Sequence, residues 1–201
     1  MLSIDKDGVV HDASVKVDLI PAISHGPLTV IGALVVHQTD SKTAASTLAE
    51  YKRTTRGTGA HFLIDKDGTI YQTVSVKQKC WHVGPIYSRC YQRHPCVAKQ
   101  EQQYRIWEKT DRRAFIHSVD HIEEGKKYPD RYPDNSDSIG IEIVGKAIDE
   151  NNYEQPTTDQ QIAIKWLVGE LLVALKLQRT DVYRHPQLSR KNAGEARDAN
   201  W

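Results

Sequence analysis

The sequence predicts an α/β fold built on a mixed β-sheet. Apolar, β-branched runs of strand length alternate with segments of helical periodicity. Asp-Gly words between apolar residues, Asp7-Gly8 and Asp67-Gly68, mark tight turns between short strands. A long apolar segment near the C-terminus has the length of a helix rather than a strand.

Taken in order, Ile4–Val10 reads as a hairpin arm around the first Asp-Gly turn. Leu28–His37 is apolar and β-branched, as a buried strand ending at His37 would be. In Thr43–Arg53, Ala44, Ala45, Leu48 and Tyr51 recur at helical spacing, and Ser41 is the expected N-cap. Ala60–Asp65 and Thr69–Val74 flank the second Asp-Gly turn as paired strands. Neither Asp-Gly word carries the acidic ladder of a calcium loop. Pro85–Asn135 differs in character, rich in Arg, Lys, Gln, Tyr and Asp, with one helix expected around Ala98–Arg113. It reads as an insertion, serving as a lid or binding surface or left disordered. Ser138–Val144 is a strand by alternation and β-branching. Thr157–Gln178 is a long helix, apolar on most sides and expected to be central and buried, and Thr180–Tyr183 is a short strand leading to His185.

The 201 residues suit one domain, 1–201, with the insertion at about 85–135 inside it. Lys and Arg number 27 against 26 Asp and Glu, a formal net charge of +1. That balance gives no electrostatic case for nucleic acid or an anionic membrane. No apolar run approaches the roughly 18–20 residues of a membrane span. Met1–Gly8 lacks a basic region followed by an apolar one, so the expectation is a chain made in the cytoplasm without a Sec signal, which stays there or leaves by a non-Sec route to act in the periplasm. Three cysteines are neither a disulfide framework nor a Cys-x-x-Cys zinc pair. Cys90 and Cys96 are close enough to close a small loop, and two free thiols fit as well.

Among nine histidines, two stand out. His37 closes a strand and precedes a polar loop, and His185 follows a strand and precedes Pro186. Strand ends beside loops are where α/β sheets place functional groups. Two neutral imidazoles plus an anionic side chain would form a tetrahedral zinc site with an open position.

Five words carry a resemblance. They are Val35-Val-His-Gln-Thr-Asp-Ser41, Gly59-Ala-His-Phe-Leu-Ile-Asp-Lys-Asp-Gly-Thr-Ile70, Trp81-His-Val-Gly84, Asn135-Ser-Asp-Ser-Ile-Gly-Ile-Glu-Ile-Val-Gly145 and Arg184-His-Pro186. In this order, over about residues 28–198, they resemble the zinc-dependent N-acetylmuramoyl-L-alanine amidase family. This is the type-2 group that includes peptidoglycan recognition proteins and T7 lysozyme-like enzymes. The resemblance implies a single mixed central β-sheet flanked by helices, with the insertion added to it.

It implies roles as well. His37 and His185 resemble the zinc ligands and Glu142 the general base. Some members use a Tyr before the His-Phe pair, where this chain has Ala60, so proton transfer falls to Glu142 alone. Many members place a Lys and then an Asp or Cys shortly after the second His. Here Lys191 is the candidate cation, Ala193 cannot bind metal, and Glu195 is the expected third ligand, the alternatives being Asp198 or a metal with only two protein ligands and a catalytic Glu195. His82 resembles a residue lining the substrate groove. Trp81 and Asn135 are candidate substrate contacts, although a packing aromatic and a loop cap explain them equally well. His61 resembles a buried histidine of the sheet, and His11, His25, His94, His117 and His121 match nothing and read as surface.

The implied reaction is hydrolysis of the amide between N-acetylmuramic acid and the L-alanine of the stem peptide, with Zn²⁺ as cofactor. A recognition domain that binds muropeptide without cutting it is the first rival. The setting has three versions: an enzyme recycling muropeptides in the cytosol, an endolysin, or an antibacterial effector of a type VI secretion machine. The C-terminal Lys191-Asn-Ala-Gly-Glu-Ala196 word and the insertion favour the last two. An effector would have an immunity protein or a secretion component as partner.

Overall fold

A computed structural model describes residues 1–93 and 96–201. His94, expected at the surface, and Pro95 lie outside the described residues. The hairpin arm forms β1 (Ser3–Ile4) and β2 (Val10–His11), paired antiparallel. The main sheet has six strands in the order β3-β6-β5-β7-β4-β8. These are β3 (Val15–Val17), β4 (Ala33–Gln38), β5 (Phe62–Ile64), β6 (Ile70–Gln72), β7 (Ser138–Ile143) and β8 (Val182–Arg184). The β5–β6 hairpin is antiparallel and the other pairs are parallel, which makes the sheet mixed.

The strand period of two sorts the side chains of the sheet. Leu34 and Val36 of β4, Phe62 and Ile64 of β5, and Ile139, Ile141 and Ile143 of β7 point to one face, where α5 (Thr158–Leu175) covers them. A capping box between Thr157 and Gln160 starts α5, and Ile164, Leu167, Val168 and Leu171 form its buried stripe. The expectation of a central, buried helix is corrected: Ile162 and Val173 are 65% and 68% exposed, because α5 lies on one face of the sheet as an outer layer. We expect Phe62→Ala to cost about 3–5 kcal/mol of unfolding free energy, and Ile162→Ala less than about 0.5 kcal/mol. Urea titration of both variants checks the contrast.

The opposite face carries Ala33, Val35, Tyr183 and the catalytic candidates. It packs on Val83, Ile86, Tyr132 and Leu188, and on α1 (Ala44–Arg53) through Leu63 and Ala44. Thr43, not Ser41, caps α1: its hydroxyl accepts the Ser46 N–H, while the Ser41 hydroxyl bonds Thr43 O and Ser46 Oγ. β4 begins later than Leu28, since Val30 is exposed and Gly32 passes so close to the Tyr128 ring that a Cβ would lie 2.7 Å from it. Residues 179–181 form a 3-10 turn, which shifts β8 past the expected Thr180 start.

Residues 85–135 leave the sheet between β6 and β7 and are ordered around three helices joined by loops and turns, over the described residues. They hold α2 (Arg89–Arg93), α3 (Ala98–Thr110) and α4 (Arg112–Glu124). One helix was expected here. Asp111 is extended, ends α3 and caps α4 by accepting the Arg113 and Ala114 N–H groups, which splits the run in two. Tyr104, Phe115 and Val119 form a separate apolar cluster, and Cys90 and Cys96 are joined by a disulfide. No helix among the described residues is long and apolar enough to cross a membrane. The last short helix, α6 (His185–Leu188), follows β8 directly.

Candidate active site

Three neighbouring parallel strands, β7, β4 and β8, deliver side chains to one end of the sheet. His37 lies beside Glu142 in the β4–β7 register, and Tyr183 of β8 lies beside Val35. Residues 35 and 37 share a face, and Glu142 pairs in register with His37, so alternation puts His37 and Glu142 on the face away from α5, while His185 enters the same site as the first residue of α6, directly after β8. Such carboxyl ends of parallel strands are the usual place for ligands in open α/β sheets.

Glu195 arrives from the C-terminal loop. Gly194 lets this loop lie against the backbone of Asn151, where a Cβ would come within 2.3 Å of the carbonyl oxygen. Ala196 takes a left-handed φ of 53° and donates its N–H to Gln38 Oε1. These contacts press the Glu195 carboxylate onto the two rings. His37 Nδ1 and His185 Nδ1 stand 2.8 Å apart, and Glu195 Oε1 is 3.5 Å from the first and 3.0 Å from the second. All three residues are buried. Among the described residues they form the group of His, Cys, Asp and Glu side chains compact enough to share an ion. Asp198, the alternative ligand, is not in that group and pairs with Arg197 at 3.5 Å.

The donor set fits zinc. A tetrahedral ion with bonds of about 2.0–2.1 Å holds its ligand atoms about 3.3 Å apart, close to the edges of this triangle. Burial, with the neighbouring His185, lowers the His37 pKa to about 4, so the ring is neutral at pH 7 with a lone pair to offer. Burial works against ionisation of Glu195, but its contacts with the His185 and His37 rings, led by the hydrogen bond with His185, outweigh it and bring its pKa to about 2.

Glu142 opens onto the same cavity, of about 460 Å³, with Lys191 exposed at its rim. The Glu142 Oε2 atom is buried without a hydrogen-bond partner. Burial, and then the Glu195 charge, raise its pKa to about 8, and Lys191 partly opposes them. In metal-free protein the fold therefore favours the neutral carboxyl. Its stabilising contribution is complete below the ordinary value of 4.5 and is lost as pH rises through about 8. Glu142→Gln keeps the neutral shape at every pH. We expect the melting temperature of chelated wild type to fall relative to this variant between about pH 5 and pH 9. Parallel profiles would show that Glu142 does not titrate there.

Trp81 is exposed and lines this cavity together with a second, of about 380 Å³, that runs on toward α4. His82 is half-buried behind it, in contact with His37. Asn135 faces the second cavity, not the first. Its Oδ1 accepts the His82 and Val83 N–H groups at 2.9 and 2.7 Å, and its Nδ2 donates to Val83 O, so its amide ties down the loop. Both nitrogens of His61 are satisfied, by Gln78 O and the Gly140 N–H.

The sequence reading missed three residues here. His25, read as surface, stacks on Trp81 with ring centroids 3.6 Å apart and bonds Gly57 O at 2.7 Å. Nothing in its local sequence signals that contact. Tyr51 and Tyr153 also line the cavity. The inward face of α1 signals Tyr51, but Tyr153 sits on a loop and has no such pattern. His11, His117 and His121 are exposed as expected.

Comparison with known proteins identifies the family and the fold. A family model described as N-acetylmuramoyl-L-alanine amidase matches residues 27–198. No curated protein sequence matches the chain. Among solved structures, a selenomethionine derivative of AmpD is 17% identical, with 98% of this chain and 94% of that one covered and a TM-score of 0.57. The endolysin amidase LysCS from Clostridium intestinale is 18% identical, with 90% and 86% covered and a TM-score of 0.54. The catalytic domain of XlyA is 20% identical, with 85% and 83% covered and a TM-score of 0.52. At these identities the structural likeness establishes the shared fold, a mixed sheet flanked by helices, and the family match over most of the chain establishes the activity. The chain belongs to the N-acetylmuramoyl-L-alanine amidase family and is an enzyme that hydrolyses peptidoglycan.

Proposed function

We propose that the chain cuts the amide between N-acetylmuramic acid and L-alanine at a zinc centre held by His37, His185 and Glu195. One observation carries this reading: three lone-pair atoms converge within 3.5 Å beside a carboxyl that has an unpartnered oxygen. Zinc bound there would polarise the amide carbonyl and make water a better nucleophile at neutral pH. Glu142 takes the proton of the attacking water and hands it to the leaving amine. A carboxyl with a raised pKa suits the second half of that task, because it holds a proton near neutrality. Lys191 sets its positive charge against the oxygen that becomes negative as the carbonyl is attacked. Trp81 supplies the exposed aromatic wall for the substrate, with His82 and Asn135 shaping the groove behind it. One amidase unit spans 1–201, and the insertion at about 85–135 extends its binding face. Zinc analysis with mass spectrometry of digested sacculi tests the assignment. Free stem peptides beginning with L-alanine support it; bound protein on uncut sacculi favours the recognition-only alternative.

The substrate is polymeric wall rather than a small recycled fragment. The first cavity shares Trp81, Val83 and Gly84 with the second, and together they form a groove running from the metal ligands to α4. An enzyme of this kind acts as an antibacterial effector or an endolysin, with an immunity protein or secretion component as partner in the first case. Expression with an added export signal tests this. Lysis from the periplasm is the expected result, and growth without lysis favours the recycling enzyme.

A further inference from the structure

We infer that His82 is a positioning residue that sets the tautomer of His37 and so aims its Nδ1 lone pair at the metal. The inference rests on the zinc reading above and follows from a chain of hydrogen bonds whose direction is fixed at its far end. The Ser138 hydroxyl donates to the carbonyl oxygen of Asp134, which can only accept. With its hydrogen so used, Ser138 Oγ can only accept from His82 Nε2, 3.3 Å away. The Ser138 carbonyl oxygen, 3.4 Å from the same nitrogen, makes the same demand. His82 therefore carries its hydrogen on Nε2 and presents a bare Nδ1. That Nδ1 lies 3.0 Å from His37 Nε2, which must then be the donor. A neutral imidazole has one N–H, so His37 is left with its lone pair on Nδ1, the atom that faces His185 and Glu195.

Neighbouring residues hold His82 in this role. Gly140 of β7 lies under the ring, where a Cβ would come within 2.7 Å of it. Asn135 fixes the backbone at residues 82 and 83. The Trp81-His82-Val83-Gly84 word thus has two tasks, an exposed indole on the groove and an inward imidazole supporting the metal ligand. Outer partners of this kind commonly change metal affinity by about 10–100-fold when removed.

Zinc affinity of the full chain, measured by competition with a chromophoric chelator, tests the inference. We expect His82→Leu to weaken zinc binding by about 10–100-fold. His82→Asn, which keeps an acceptor near the Nδ1 position, should recover part of that loss. Ser138→Ala should have a smaller effect, since the carbonyl acceptor remains. A His82→Leu chain with unchanged zinc affinity and a raised KM would overturn the inference and assign His82 to substrate contact. Because His82→Leu risks misfolding, a second measurement uses the wild type. Nitrogen-15 NMR of the chelated chain should show the ring hydrogen of both His37 and His82 on Nε2, and a hydrogen on Nδ1 of either ring would overturn the inference. Wild type that binds no zinc while showing the expected tautomers would instead sink the metal reading.

Discussion

Glu142→Gln is expected to lower kcat by about 10²–10⁴-fold while zinc uptake stays unchanged. The side chain points into the cavity beside the metal group but is not one of the three atoms that converge there. Its Oε2 lacks a partner, which is costly for a buried carboxyl unless the chemistry uses it. The amide keeps shape and burial and removes only the ability to take a proton. Ala60 occupies the place where some relatives carry a tyrosine, so that route offers no second base. Steady-state kinetics on isolated muropeptide, together with metal analysis, decides the point. Loss of zinc from Glu142→Gln would reassign the residue as a ligand, and full activity would remove it from the mechanism.

His37→Ala is expected to abolish tight zinc binding and to reduce turnover to that of chelated wild type. His37 shares edges of the ligand triangle with both other members, so its loss leaves two donors on an open site. The effect extends to stability through linkage. A ligand at a thousand times its dissociation constant adds about 4 kcal/mol, or about 10 °C of melting temperature for a chain of this size. Chelator should therefore lower the melting temperature of wild type by about that much and leave His37→Ala unmoved. Equal chelator sensitivity in both would place the ion elsewhere.

Local pattern exposed the parts of the molecule whose physics is local. The β-branched apolar run ending at His37 and the alternation in Ile139–Ile143 marked the two central strands that carry His37 and Glu142. The Asp-Gly turn at Asp67-Gly68 and the family words located the β5–β6 hairpin. Glu195 was legible only through resemblance, because its position depends on Gly194 and Ala196 folding the last loop back over Gln38. The stack of His25 on Trp81 joins residues 56 apart in sequence (81 − 25) and leaves no periodic trace. Within the insertion, Asp111 lies between two stretches of helical composition, and its extended backbone shows that it ends one helix and caps the next. The exposed flank of α5 escaped notice because the helix is apolar beyond the stripe that packs on the sheet.

Anomalous diffraction at the zinc absorption edge, from crystals grown with zinc, addresses the metal centre most directly. A single strong peak among His37 Nδ1, His185 Nδ1 and Glu195 Oε1, with Glu142 outside bonding distance, is the expected result. A peak bonded to Glu142 or Asp198 in place of Glu195, or zinc bound only elsewhere, would contradict the proposed centre.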